Sequence, residues 1–360
     1  MNPSIIFHLL FILGISIVFS ACKGQESPPT TTVPPKTMAL GKIVPELNAT
    51  IWDIYQDQQS NFWFGSKEHG VYFYNGEALR HFSKEDGLVS NEVRDIQEDA
   101  LGNIFIETTA GVSKFDGQSF TTLEIKRDNP SNWVLNPSDL WFRIGFNTKG
   151  PYRYDGEYLH YLEFPQAPYE ATLHPHILMA SFYPYGIYSI YKDQEGAMWF
   201  GTSGIGLCRF DGKHISWHYE EQLQKTTGGG DFGMRAIIQD KDGRFWFNNS
   251  QYRYEILPSE SNQLKYEKQD GLGFIENQTQ VYPYFLSIAE DDTGNLWMVT
   301  YGEGVWKNNG KELINYPVKD GSRDVLLFSI FKDNQGVLWL GTHNAGVYKF
   351  NGTTFEKFQP

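Results

Sequence analysis

Short apolar runs separated by polar turns recur along this chain at a spacing of about forty residues, with no long helical periodicity between them. The clearest unit is Ile187 to Tyr219, IYSIYKDQEGAMWFGTSGIGLCRFDGKHISWHY. It reads as four strands: IYSIY, AMWFGT, GLCRF and KHISWHY, joined by KDQEG, SGIG and a tight Asp-Gly turn. The last residues of the chain repeat it: LFSIFKDNQGVLWLGTHNAGVYKFNGTTFEKF.

Aligning the units gives seven equivalent aromatics: Trp63, Phe105, Trp141, Trp199, Trp246, Trp297 and Trp339. Twelve residues before six of them an apolar residue opens a strand (Ile51, Val93, Ile187, Met234, Phe285, Leu327), and three residues further on stands Ile each time (Ile54, Ile96, Ile190, Ile237, Ile288, Ile330). Six residues before the same aromatics is Asp: Asp57, Asp99, Asp193, Asp240, Asp291 and Asp333. Gly follows three residues later in five of these units, and Ser60 replaces it in the first. Asp at the first and Gly at the fourth position marks a type I turn, a structural role and not a catalytic one. A second turn, Asn-Gly or Asp-Gly, closes the outer strands in six units, at Gly76, Gly117, Gly156, Gly212, Gly310 and Gly352.

Seven units of four antiparallel strands predict an all-β fold, a seven-bladed β-propeller with blades near 51–88, 93–125, 128–164, 187–223, 234–272, 285–320 and 327–360. Small or polar residues in the middle of the first strands (Asp53, Asp95, Ser189, Ala236, Ser287, Ser329) suit innermost strands converging on an axis. The third unit departs: Leu135 and Ser138 replace the Asp and Gly, and Pro130 falls in its first strand, so that strand should be short or distorted. The fifth lacks the Asn-Gly turn and has the longer linker LPSESNQ. The last unit holds four strands of its own, so ring closure needs no shared blade, and Leu40 to Leu47 could add an outer strand to the first.

The first 37 residues stand apart from this pattern. Ile5 to Ala21 is an apolar run ending in Phe19-Ser20-Ala21-Cys22, which resembles a bacterial lipoprotein processing site, with residues 1–21 as signal peptide and Cys22 as the lipidated residue. An ordinary signal peptide or an uncleaved anchor are the alternatives. Residues 22–37, rich in Pro and Thr, read as an extended tether to a propeller at 38–360. Net charge is −13, which argues against nucleic acid or an anionic membrane surface as a partner, leaving the lipid anchor as the only membrane contact. With Cys22 lipidated, Cys208 is left as a small buried hydrophobe.

The motifs MWFGT (198–202), LWLGT (338–342), GLCRFDG and GVYKFNG, with NEVRDIQEDALGNIF (91–105) after DGL, resemble the two-component regulator propeller repeat. That resemblance implies the extracytoplasmic sensor propeller of hybrid two-component systems, which often respond to oligosaccharides. The chain reaches Pro360 directly after its last blade, so the expectation is a propeller without a kinase or output domain of its own.

Length varies between units in the connection from the fourth strand to the next first strand, which shares one end of a propeller with the loop between strands two and three. The longest insertion, Phe164 to Gly186, holds His174, His176, Tyr183 and Tyr185; a second, 271–284, holds Tyr282 and Tyr284. These tyrosines either pack the loops on the rim or offer a stacking platform for a sugar ring. Loops after the second strands add Lys67, Glu68, His69, Asn147, Lys149, Gln251, Tyr301, Glu303, His343 and Asn344. The candidate binding set is therefore Tyr183, Tyr185, Tyr282, Tyr284, Glu68, His69, Tyr301, Glu303, His343 and Asn344. No catalytic set and no metal site is predicted, and no cofactor is specified by any motif; the His174-Pro-His176 pair lacks the accompanying ligands of a metal site. The sequence thus points to an envelope propeller, periplasmic or on the outer membrane, that binds a small polar ligand such as a carbohydrate. An envelope protein-interaction scaffold is the alternative. A propeller enzyme of lyase or glycosidase type is the second.

Overall fold

The computed structural model describes residues 41–126, 133–173, 183–225 and 232–360. Cys22, Pro130, His174 and His176 lie outside them. Seven blades follow in chain order, all but the third an antiparallel sheet paired from the axis outward: Ile51–Gln56, Phe62–Ser66, Val71–Tyr74 and Leu79–Phe82 in the first, Ile187–Lys192, Met198–Thr202, Leu207–Phe210 and Ile215–His218 in the fourth. The remaining inner strands are Val93–Glu98, Ile237–Gln239, Ser287–Glu290 and Leu327–Lys332. Lys42–Val44 pairs antiparallel with Leu79–Phe82, the added outer strand expected of the first blade. The last blade is built from its own four strands, ending with Phe355–Lys357. It meets the first through Gly346 N–H to Ala49 O (3.2 Å), and Asn334 N–H to Gln56 Oε1 (2.8 Å).

The recurring Asp has two tasks. In blade four its Oδ1 accepts the amides of Glu195 and Ala197, fixing the turn, while Oδ2 accepts the indole N–H of Trp199 at 2.8 Å. The same indole bond joins Trp63 to Asp57, Trp246 to Asp240, Trp297 to Asp291 and Trp339 to Asp333. A Trp here can therefore be fully buried without stranding its donor. Blade two has Phe105 instead, and Asp99 is occupied by the Asn103 side chain at 2.7 Å. The aromatics fill the wedges between blades: Trp199 packs on Phe245 and Phe247 of the following blade, at ring-centroid distances of 4.6 and 5.6 Å.

Blade three is irregular, as its sequence predicts, but the departure is larger. Its order from the outside is Ile125–Lys126, Leu159–Tyr161, Tyr152–Tyr154 and Leu140–Phe142. Among the described residues no strand flanks Leu140–Phe142 on its axial side. The fourth strand is instead added outside, parallel to Leu159–Tyr161.

Outside the axis, Glu220 gathers His218 (3.4 Å), Lys268 (2.7 Å) and the hydroxyls of Tyr254 and Tyr266. Burial raises its pKa, but the hydrogen bonds and charges of His218 and Lys268 prevail and lower it to about 2. A carboxylate held below its unfolded pKa contributes stability above that pKa, lost as pH falls from the ordinary Glu range toward 2. Unfolding followed from pH 7 to 3 should therefore show a shallower acid decline for Glu220→Gln than for the wild type. Parallel declines would mean that Glu220 carries no such linkage.

Candidate functional site at the axial mouth

Four inner strands share a defect that decides what faces the axis. Register shifts between Ile51 and Asp53, Val93 and Asp95, Ile187 and Ser189, and Leu327 and Ser329. One residue is extra at each place: Trp52, Arg94, Tyr188 and Phe328. A bulged residue leaves the alternation of its strand and re-aims its side chain. These four, with Arg235 and Leu286 at the same repeat position and Phe146 from blade three, line an axial cavity of about 930 Å³. Below them lie Asp53, Asp95, Ser189, Ala236, Ser287 and Ser329, the small and polar residues expected at the axis.

The mouth has two unlike walls. On one, Trp52 meets Phe328 edge-on at 6.2 Å, and Phe328 packs on Tyr301 (5.8 Å) and His343 (5.5 Å). Tyr301 remains 46% exposed, and His343 keeps a buried Nδ1 without a hydrogen-bond partner. On the other wall two guanidinium groups lie over aromatic rings: Arg94 is 4.0 Å from the Phe146 centroid and Arg235 4.4 Å from that of Tyr188.

Beneath the mouth, side chains bridge blades two and four where blade three has no axial strand among the described residues. Arg143 sits in the repeat slot that is Gly201 in blade four and Gly341 in blade seven. There a Cβ would lie 2.3 Å from Met234 O, or 2.7 Å from Ile51 O, so close approach of the next blade demands Gly. Arg143 instead sends its guanidinium to Arg94 O (3.0 Å) and Tyr188 O, one carbonyl from each neighbouring inner strand. Arg94 answers with Nη1 donating to Arg143 O and Gly145 O, both at 2.7 Å, and Nη2 to Ile187 O at 3.3 Å. Gln97 reaches Trp141 O at 2.8 Å. Glu107, fully buried in the same slot of blade two, accepts the Arg143 amide at 2.9 Å and faces its Nε at 3.5 Å.

Burial pushes Asp53 well above the ordinary carboxylate range, with Asp95 adding to it and Arg143 opposing. Asp95 and Glu107 are also raised by burial, against Arg143. Arg94 is lowered to about 10 by burial and by Arg143. Three carboxylates thus face two guanidiniums, and the waist is neutral when one carboxylate holds a proton.

Of the residues picked from sequence, Tyr301 and His343 meet against Phe328, 6.3 Å apart, without lining the cavity themselves. Lys67 lies 5.9 Å from the Trp52 ring centroid. Glu68 lines a separate shallow cavity of about 340 Å³ with Lys67, Lys84, Ser90, Asn91 and Glu92. His69, Glu303 and Asn344 are exposed on their loops. Tyr185 is buried, its hydroxyl bonded to Glu170 and to the Ala167 amide, so it packs its loop onto the blade. Tyr284 is half-buried and donates to Gln222 O; Tyr282 is half-buried and Tyr183 is 37% exposed beside Tyr185. Asn147 is exposed, Lys149 pairs with Glu163 at 3.3 Å, and Gln251 bonds the Tyr252 hydroxyl. Cys208 is buried and unpaired. Among the described residues no group of three or more His, Cys, Asp or Glu side chains is placed to hold a metal ion, and no helix is long and apolar enough to cross a membrane.

Sequence reasoning missed Trp52, Arg94, Tyr188, Arg235 and Phe328. Their signal was the spacing of three between the apolar residues of each first strand, such as Ile51 and Ile54. Both are buried, and a strand of period two puts residues three apart on opposite faces unless a bulge intervenes.

Residues 45–68, 184–204 and 321–344 match the model of the two component regulator propeller. Three stretches of the chain thus resemble the repeat of this family. Solved structures agree on the fold. The extracellular domain of a protein described as a one component system of B. thetaiotaomicron is 18% identical, with a TM-score of 0.56 over 86% of this chain and 40% of that one. This propeller chain therefore spans about two fifths of that relative. PorZ, described as a bacterial surface component of the type-IX secretion system of Porphyromonas gingivalis, is 18% identical, with a TM-score of 0.58 over 88% and 48%. Virginiamycin B lyase from Staphylococcus aureus is 13% identical, with a TM-score of 0.60 over 86% and 99%. At these identities the likeness is one of fold alone. No curated protein matches the chain.

Proposed function

We propose that this chain is a ligand-binding, sensor-like propeller of the bacterial cell envelope, tethered through a lipid on Cys22, and that its ligand is an oligosaccharide or another polar small molecule held at the axial mouth. The observation that carries the reading is the bulge series. Four inner strands give up a ladder position to turn Trp52, Arg94, Tyr188 and Phe328 into one cavity. Packing alone needs no such residues there, since the wedge aromatics and apolar strand positions already close the blades. Broad aromatic faces beside a few placed polar groups, in a cavity of this size, are what a polar ring-shaped ligand requires. The extracellular setting of the similar propellers supports the envelope location.

The test is thermal denaturation of the purified protein across a panel of oligosaccharides. A ligand at about 100 times its Kd adds roughly 2.7 kcal/mol to stability. One saccharide class should raise the midpoint in the wild type and fail to do so in Trp52→Ala. No shift with any small molecule, together with co-purification of a discrete envelope protein, would move the function to a scaffold.

A further inference from the structure

Resting on the axial reading above, the geometry points to an acidic ligand: we infer that the mouth selects a saccharide bearing a carboxylate or sulfate, and that Arg235 is the residue that receives the anion. The two mouth arginines are not equivalent. Arg94 has its terminal nitrogens committed to three backbone carbonyls and is surrounded by Glu107, Asp95 and Glu92. Its charge is used within the fold. Arg235 is exposed in the mouth, and among the described residues its one side-chain hydrogen bond is Nε–H to Phe232 O at 2.8 Å. The bond orients the group and leaves both terminal nitrogens open. The Tyr188 and Phe232 rings, 4.4 and 5.4 Å from its central carbon, hold the plane of the guanidinium. Among the described residues no acidic side chain pairs with it; burial is the main influence lowering its pKa, with Tyr188 opposing and Arg143 adding to it.

An arginine flanked by aromatic rings, with its fork free and no carboxylate beside it among the described residues, matches a planar carboxylate or a sulfate oxygen pair. On a chain of net charge −13 such a cation is not a product of general basicity. The same cavity carries Trp52 and Phe328, with Tyr301 packed on Phe328, an aromatic surface that suits the apolar face of a sugar ring. Ring and anion would thus be read by different walls.

Calorimetric titration of the full chain with neutral oligosaccharides, oligouronides, sulfated oligosaccharides and sodium sulfate tests this. One acidic class should bind and its neutral counterpart bind at least tenfold more weakly. Arg235→Gln should weaken the acidic ligand about tenfold or more, with the wild-type melting midpoint retained, and Arg235→Lys should recover part of the loss. Added salt should weaken wild-type binding more than that of Arg235→Gln. Binding of inorganic sulfate as tightly as the sulfated saccharide would overturn the saccharide part of the inference. A neutral saccharide bound as tightly as the acidic one, or an unchanged affinity in Arg235→Gln, would overturn the anion site while leaving the axial reading intact. Absence of binding by every class would overturn both.

Discussion

Arg143→Met will destabilise the propeller by about 3–5 kcal/mol, the loss typical of removing one partner from a buried charge pair. The side chain of Met fills much of the volume, so the loss is one of charge and hydrogen bonds. Glu107 keeps a fully buried carboxylate with no counter-charge at its Oε1 side, and the carbonyls of Arg94 and Tyr188 lose their shared donor. The two carbonyls belong to blades two and four, so the change removes a tie between those blades where blade three has no axial strand among the described residues. Glu107→Gln on the same background should recover part of the loss, because a neutral amide costs less to bury. The pH dependence gives a second check. Burial already raises the Glu107 pKa, so the carboxylate weighs against the native state at neutral pH and less as pH falls toward protonation. The destabilisation measured by denaturant unfolding should therefore be smaller at pH 5 than at pH 7. An effect below about 1 kcal/mol, the scale of one ordinary hydrogen bond, would show that the bridge is not what joins blades two and four.

Trp199→Ala will cost a comparable amount, about 3–5 kcal/mol, as a large buried aromatic deletion. Trp199 is completely buried, packs across the blade boundary on Phe245 and Phe247, and satisfies Asp193. Trp199→Phe separates the two contributions. It keeps a ring in the wedge and removes the indole donor, so its cost should be about 1 kcal/mol. Blade two already lives with that arrangement: Phe105 is fully buried and Asp99 is satisfied by Asn103. Position 197 is Ala in blade four, so no side chain there can replace the lost donor. Denaturant unfolding of both variants checks the ratio. Equal losses would place the value of the Trp in its hydrogen bond and not in its ring.

Repeats made the fold legible before any coordinates. Wedge aromatics, turn aspartates and Asn-Gly or Asp-Gly hairpins each report a local necessity, and seven copies of the first with six of each of the others leave one architecture. The third blade was legible only as a defect. Leu135 and Pro130 mark a strand that cannot pair normally, but nothing local says that Arg143, forty-nine residues from Arg94 in sequence, bridges the gap. Glu107 and Arg143 do stand out, since both replace the glycine of the same slot with opposite charges. The proposed axial mouth and the loop residues picked from sequence coincide only in part. The hydroxyls of Tyr185 and Tyr284 are taken up by other connecting segments, Ala167 and Glu170 of the same insertion for the first and Gln222 of the short helix Glu221–Gln224 for the second. The mouth residues lie in strands, where an alternating pattern hides a bulge unless the spacing between buried positions is counted.

The most direct test of the axial site is a fluorescence titration of the identified saccharide against matched variants of mouth and rim. Trp52→Ala and Phe328→Ala should each weaken binding at least tenfold, about 1.4 kcal/mol or more. Tyr183→Ala and Tyr282→Ala, on the rim loops, should leave it within a factor of two. The reverse pattern, with binding lost in the rim variants and kept in the mouth variants, would contradict the account and return the site to the inserted loops.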